Sequence, residues 1–173
     1  MRSPWIGLTL VAALVAGGCG GDDGPKVKTK ADFVAAADRI CVKRDESTTK
    51  LQTKLSTDDD IARLSGGLAD IYGKAIAELQ AVPLPPGSAR RGARDYVAAT
   101  VALRKPVVQM KAASLSLEAA IKTRKTAAVK NAGQQLQIRV NTVQALGEVA
   151  DQSARTYGMR NCGQAATTPS PVS

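Results

Sequence analysis

Apolar side chains recur every three or four residues along most of this chain, and this spacing restricts the fold to packed helices. The most regular series comprises Ile61, Leu64, Leu68, Ile71, Ala75, Leu79 and Val82. On a helix with 3.6 residues per turn, these side chains share one face. The 173 residues include only one Phe, one Trp and three Tyr. A core built mainly from Ala, Leu, Val and Ile suits packed helices better than a sheet sandwich.

Four amphipathic helices are predicted from this spacing. They cover approximately residues 30–55, 58–82, 88–123 and 126–157. The first is the least regular, because residues 43–50 are polar. Pro106 lies inside the third helix and is expected to kink it near Ala102, whose carbonyl loses its hydrogen-bond partner. Short connections between the helices favour an all-α fold, specifically an up-down-up-down four-helix bundle.

The predicted helix ends carry capping signals. Thr29 and Asp32 resemble a capping box before the first helix. The second helix follows two hydroxyl residues and three aspartates at 56–60, and carboxylates in a first turn favour a helix through its dipole. These aspartates lack the alternating oxygen ligands of a calcium loop, so capping is the preferred interpretation. Ser88 is expected to cap the third helix, and Gly158 to end the fourth in a left-handed conformation.

The N-terminal residues 1–18 have the pattern of a secretory signal peptide. A basic residue, an apolar run over residues 5–15 and small residues precede Cys19. The run is too short and wrongly flanked for a transmembrane helix. A signal that ends in Cys looks like that of a bacterial lipoprotein, in which the Cys19 thiol is acylated, although Ala16 stands where Leu is usual. The alternative is cleavage near Gly18 and release of a soluble exported protein.

The lipoprotein interpretation divides the chain into four parts. Signal residues 1–18 are removed, and residues 19–29 form a lipid-anchored flexible tether. Residues 30–163 form one helical domain, and residues 164–173 form a disordered tail. The predicted location is the outer face of the cytoplasmic membrane, with the membrane itself as a partner through the N-terminal lipid.

The three cysteines agree with export. If Cys19 carries lipid, Cys41 and Cys162 remain as a pair in an oxidising compartment, and a structural disulfide between them is expected. A redox-active pair would normally be spaced as C-x-x-C, and a metal site would need His or more Cys. The chain has no His.

Two short motifs contain the two unacylated cysteines. They read Phe33-x-x-x-Ala37-Asp38-x-Ile40-Cys41 and Tyr157-Gly158-Met159-x-x-Cys162-Gly163. Together with the proline-rich break at residues 83–87, they resemble a group of small exported helical lipoproteins from high-GC Gram-positive bacteria. The resemblance spans most of the mature chain and implies a helical domain clamped by the Cys41–Cys162 bridge. It implies no activity and no functional residues.

The residue types argue against an enzyme. Without His, the Ser-His-Asp and Cys-His arrangements, c-type haem and the Glu-x-x-His di-iron motif are excluded. Four glutamates are distributed one per predicted helix: Glu46, Glu78, Glu118 and Glu148. Phosphate-binding Gly-rich loops are absent from the sequence as well. A non-enzymatic protein without catalytic residues, metal or cofactor is therefore predicted.

The positive charge is concentrated in residues 87–139, where Lys and Arg outnumber Asp and Glu by eleven to two. Six of these cations fall within an arc of about 120° on the predicted third helix. We call them the basic face: Arg90, Arg94, Arg104, Lys105, Lys111 and Lys122. Aliphatic residues interleave with them, namely Val97, Val101, Val108 and Leu115. Such a face suits anionic lipid headgroups or an envelope polyanion. The alternative is that the aliphatic residues pack against a neighbouring helix while the Lys and Arg stems extend into solvent.

The predicted function is a membrane-anchored interaction module. It would contact anionic headgroups, an envelope polyanion or an unidentified protein partner through the basic face. The alternative is a lipoprotein that binds a small ligand in an apolar cavity beside the Pro106 kink, lined by Tyr96, Leu103 and Met110. Nucleic acid is not an expected partner, because the protein is exported and aromatic stacking platforms are missing.

Overall fold

The computed structural model describes residues 26–54 and 61–163, and these residues form five helices without a strand. The helices are α1 (Lys30–Lys54), α2 (Ile61–Gln80), α3 (Ala89–Ala102), α4 (Arg104–Thr123) and α5 (Thr126–Tyr157). The predicted all-α class is therefore confirmed. The signal peptide, Cys19, most of the tether, the aspartates at 58–60 and the tail at 164–173 lie outside the described residues. None of the described helices is long and apolar enough to span a bilayer.

The predicted third helix is interrupted at Leu103 and forms α3 and α4. Pro106 has no amide hydrogen to donate to the Ala102 carbonyl, so the regular hydrogen-bond ladder stops there. The Leu103 amide donates to the Thr100 carbonyl at 3.1 Å, and the Val107 amide donates to the Leu103 carbonyl at 2.9 Å. The expected disturbance near Ala102 is confirmed, and it takes the form of a break of one residue.

The start of α1 is a capping box, as predicted. The Asp32 amide donates to Thr29 Oγ1 at 3.1 Å, and Asp32 Oδ2 accepts from the amides of Thr29 and Lys28 at 2.9 and 3.0 Å. These hydrogen bonds, led by the one from Lys28, lower the pKa of the Asp32 carboxyl. The two residues therefore satisfy amide groups that a helix N-terminus leaves without intrahelical partners.

Three other predicted helix boundaries had different outcomes. The prediction that the Ser88 side chain caps a helix is wrong, since it makes no capping hydrogen bond. Its backbone is already helical, with φ −64° and ψ −25°, whereas a capping side chain needs an extended backbone to reach the first amides. The second helix ends at Gln80 and does not reach Val82. Gly158 ends α5 in the left-handed region with φ 97°, as predicted.

The helices pack in neighbouring pairs around two groups of buried side chains. The close pairs are α1 with α2, α2 with α4, α4 with α5, and α3 with α5. One group lies at the end where α1 begins and includes Phe33, Ala37, Leu79, Tyr96, Ala154 and Tyr157. The other includes Ile76, Leu103, Val107, Met110, Leu117 and Leu136. Among the described helices, α1 and α5 are not a close pair.

Residues 158–163, which we call the C-terminal hook, connect the end of α5 to α1. Cys41 and Cys162 have their Sγ atoms at bonding distance, 2.12 Å, and their Cα atoms 5.2 Å apart. The predicted pairing is confirmed. The Asp38 carboxylate accepts hydrogen bonds from three successive amides of the hook, those of Arg160, Asn161 and Cys162, at 3.2, 3.0 and 3.2 Å.

Candidate functional site

The two cysteine motifs meet at one end of the bundle and form a structural clamp. The Phe33 and Tyr157 rings contact edge to face, with centroids 5.8 Å apart and planes at 88°. The Tyr157 hydroxyl donates to the Ala89 carbonyl at 3.0 Å, and Lys30 Nζ lies 4.6 Å from the Tyr157 ring centroid. Each motif residue therefore has a packing or hydrogen-bonding role, and the clamp holds α1, α3 and α5 together.

The basic face is exposed along its whole length. Arg90 and Arg94 lie on α3, and the other four cations lie on α4, all with exposed side chains. Lys111 Nζ is 2.6 Å from Asp70 Oδ1, and Lys122 Nζ is 2.8 Å from Glu118 Oε1. Exposed pairs of this kind are weak.

Four cations of the basic face, other than Lys111 and Lys122, form no ion pair with any residue of the described ranges. They are Arg90, Arg94, Arg104 and Lys105. The hydrogen bond and charge of Lys122 lower the pKa of Glu118, so the carboxylate on this part of α4 is ionised at neutral pH. The face therefore retains an excess of unpaired positive charge.

The four aliphatic residues of the basic face divide into two pairs. Val97 and Val101 are half-buried against the core, as the packing alternative predicts. Val108 and Leu115 are exposed, with 64% and 56% of their surface accessible to solvent. The packing alternative is wrong for this second pair. Their positions are seven residues apart, which puts both on the same side of α4 as Arg104, Lys111 and Lys122.

A cavity of about 60 Å³ lies inside the bundle between α1, α2, α3 and α5. We call it the Arg44 cavity. Its apolar walls include Ile76, Leu79 and Leu103, and Cys41 and Cys162 also line it. Tyr96 and Leu103 line this cavity, as the sequence predicts, but the prediction for Met110 is wrong. Met110 is buried instead in the core group that includes Val107, Leu117 and Leu136.

Four polar side chains also border the cavity: Arg44, Tyr72, Thr100 and Asp151. Arg44 Nε donates to Asp45 Oδ1 at 2.8 Å, and its guanidinium carbon lies 5.5 Å from the centre of the Tyr72 ring. Burial raises the pKa of the Asp151 carboxyl and of the Tyr72 phenol. Burying charged groups in an otherwise apolar bundle lowers its stability unless they are paired, so these residues are candidates for a functional site.

Tyr96 forms the inner wall of the cavity next to the disulfide. Its hydroxyl lies 3.7 Å from Cys41 Sγ. Burial raises the pKa of this phenol to about 12, so it is protonated throughout the physiological range. Thr100 Oγ1 donates to the Tyr96 carbonyl at 3.0 Å and stabilises this part of α3.

No protein-family model, curated protein or solved structure matches this chain. The assignment of the two candidate sites therefore depends on their geometry. Within residues 26–54 and 61–163, no group of three or more His, Cys, Asp or Glu is placed to hold a metal ion.

The sequence interpretation did not identify Arg44, Tyr72 and Asp151 as a cluster. They belong to three helices, and no motif spacing connects them. One signal was present, because Phe33, Ala37, Cys41 and Arg44 follow one another at helical steps on one face. A charged residue that continues an apolar stripe is a candidate for a buried polar site.

Proposed function

We propose that this protein is a non-enzymatic, lipid-anchored module that docks on anionic lipid headgroups through the basic face. The observation that supports this most directly is the exposure of Val108 and Leu115 between the cations of α4. Helices that lie on membrane surfaces combine basic residues with apolar residues in this way. Cations contact the headgroups, and the aliphatic side chains enter the boundary with the acyl chains.

The energetics favour a second contact in addition to an acyl anchor. Each Lys or Arg close to an anionic leaflet contributes about 1 kcal/mol, and each inserted aliphatic side chain adds roughly 1 kcal/mol. Four unpaired cations and two exposed aliphatic residues therefore stabilise the docked state by several kcal/mol.

The position of the predicted tether suits this arrangement. The start of α1 lies beside the start of α3, since Tyr157 contacts Lys30 and its hydroxyl binds the Ala89 carbonyl. Val27 packs on the core, and the amides of Lys28 and Thr29 bind Asp32. Positions 19–26 of the predicted tether therefore span at most about 29 Å when extended. Helices α3 and α4 contain 14 and 20 residues. Together they are about 50 Å long. The basic face therefore begins near the tethered end, at the start of α3, and extends away from it along both helices.

Vesicle co-sedimentation tests the proposal. The protein without residues 1–19 is incubated with anionic and with neutral vesicles over a series of salt concentrations. The test variant changes Arg90, Arg94, Arg104 and Lys105 to Gln. The matched control changes four exposed cations elsewhere to Gln: Lys50, Lys54, Lys74 and Arg160. Both variants lose four positive charges, so a difference between them reports the position of the charge.

We expect binding that requires anionic lipid and weakens as salt increases. Affinity should fall by at least about tenfold in the test variant and much less in the control. A further variant, Val108→Ser with Leu115→Ser, should weaken binding without changing its salt dependence. Equal losses in the two charge variants, or no vesicle binding at low salt, would contradict the proposal. Retention on soluble polyphosphate without vesicle binding would assign the face to an envelope polyanion.

A further inference from the structure

Arg44 and Asp151 face the same cavity from two helices that do not pack closely together. The Arg44 side chain is 13% exposed, and Asp151 is half-buried. Both residues line the Arg44 cavity, so the two groups face one space. Nevertheless, they form no ion pair within 4.0 Å. Opposite charges thus border one space without neutralising each other directly.

These groups have unused hydrogen-bonding capacity. Arg44 bonds to Asp45 through Nε, and its two terminal nitrogens donate to no acceptor among residues 26–54 and 61–163. Within the described part of the chain, the Asp151 carboxylate accepts no hydrogen bond and the Tyr72 hydroxyl makes none. The guanidinium retains four N–H donors and the carboxylate retains its acceptor sites. The cavity therefore offers a strong donor and a strong acceptor to an occupant.

The two groups restrict the kind of occupant. The terminal N–H groups of Arg44 suit an anionic group, and the carboxylate of Asp151 suits a cationic group. A simple anion would leave Asp151 without a partner, and a simple cation would leave the Arg44 donors without an acceptor. A molecule that carries one charge of each sign would satisfy both groups. The apolar walls of Ile76, Leu79 and Leu103 lower the local dielectric and strengthen such contacts.

We infer that the Arg44 cavity is a binding site for a small zwitterionic amino acid, of about the size of glycine or alanine. The ligand carboxylate accepts two hydrogen bonds from the terminal nitrogens of Arg44, a geometry that guanidinium favours. The ligand ammonium donates to Asp151. The volume of about 60 Å³ accommodates about four water molecules, at roughly 10–15 Å³ for the centre of each, which suits an amino acid with a very small side chain.

This site is independent of membrane docking. The basic face lies on the outer surface of α3 and α4, whereas the ligand charges are bound by α1 and α5. A failure of vesicle binding leaves the amino-acid site unaffected, and the reverse also holds. Binding of the ligand should lower the pKa of the Asp151 carboxyl, because the positive ammonium group favours the ionised carboxylate.

Calorimetric titration of the full chain with its disulfide intact tests the inference. Glycine and alanine are compared with acetate and methylammonium, which each lack one of the two charges, at constant pH and ionic strength. We expect saturable binding of the amino acids with dissociation constants on the order of 0.1–10 mM, as very small ligands allow. Acetate and methylammonium should bind at least about tenfold more weakly.

Three variants assign the binding to the cavity. Asp151→Asn preserves the shape of the side chain but not its charge, and should weaken glycine binding at least about tenfold. Arg44→Lys keeps the charge but loses the paired N–H groups, and should also weaken it. Asp95→Asn makes the same change at an exposed carboxylate of α3 that does not line the cavity, and this matched control should bind normally. The inference is overturned if neither amino acid binds saturably, if acetate binds as tightly as glycine, or if Asp151→Asn retains full affinity.

Discussion

At the scale of single residues, the Asp38 side chain connects α1 to the C-terminal hook. Its carboxylate accepts hydrogen bonds from three consecutive amides of the C-terminal hook, which would otherwise lack partners inside the protein. Hydrogen bonds to a charged acceptor are stronger than those between neutral groups. The residue lies one helical turn before Cys41, so it orients the hook where the disulfide forms.

We expect Asp38→Ala to lower the free energy of unfolding of the oxidised protein by about 2 kcal/mol, because three hook amides lose their charged acceptor. Urea denaturation of the oxidised protein measures the change. Glu46→Ala removes an exposed carboxylate from the same helix and serves as the control, with an expected effect below about 0.5 kcal/mol. Similar losses in both variants would show that the effect is one of net charge on α1.

The buried phenol of Tyr96 makes stability depend on alkaline pH. Burial raises its pKa to about 12 in the folded protein, above the unfolded value of about 10. Because the folded state holds this proton more tightly, its contribution is complete below pH ~10 and is lost as the pH rises toward 12. We expect the protein to lose about 2 kcal/mol more between pH ~10 and ~12 than the Tyr96→Phe variant. Denaturation at several alkaline pH values compares them, and parallel pH profiles would refute the assignment.

At the scale of elements, the approach of α3 to α5 depends on Gly92. A Cβ at this position would lie 2.5 Å from Cδ2 of the Tyr157 ring. The ring has little freedom to move, since its hydroxyl binds Ala89 and its face contacts Lys30. A side chain larger than hydrogen would therefore push the two helices apart at the clamp.

We expect Gly92→Ala to destabilise the protein by about 1–3 kcal/mol through overpacking, despite the better helix propensity of Ala. Gly133→Ala is the control within α5, because a Cβ there has no neighbour within 4 Å. That substitution should stabilise the protein by up to about 1 kcal/mol. Thermal unfolding of both variants gives the two signs, and a stabilising Gly92→Ala would contradict the close approach.

At the scale of the whole molecule, the disulfide joins the first and last parts of the bundle. Cys41 and Cys162 are separated by 121 positions in the sequence. The described helices α1 and α5 are not a close pair. At this end they are connected by the hook with its disulfide and by the contacts of Tyr157 with Phe33 and Lys30. The same separation of α1 and α5 leaves space for the Arg44 cavity.

We expect the Cys41→Ala, Cys162→Ala double variant to unfold with a free energy lower by about 4–5 kcal/mol, because the unfolded chain regains the entropy of a long open loop. Chemical denaturation measures this, and reduction of the unmodified protein should give a similar loss. A change below about 1 kcal/mol would show that the hook is held by its other contacts.

The amino-acid sequence by itself determined the all-α class, the capping box at Thr29, the left-handed end at Gly158 and the Cys41–Cys162 pairing. Helix formation and capping depend on residues within about one turn of each other, so a linear pattern contains them. The pairing followed from counting cysteines on the expectation that the protein is exported and that Cys19 carries lipid. The disturbance caused by Pro106 was predictable for the same local reason, because the missing hydrogen bond connects positions four apart.

Only the tertiary structure decided which side chains meet or remain exposed. Val97 and Val108 belong to the same aliphatic series, yet one packs on the core and the other faces solvent. Arg44 and Asp151 are far apart in the chain and face one cavity. A periodic pattern defines the inward side of a helix to within about 100° of arc. The rotation of each helix and the partner it packs against depend on the complementary shapes of all the helices together.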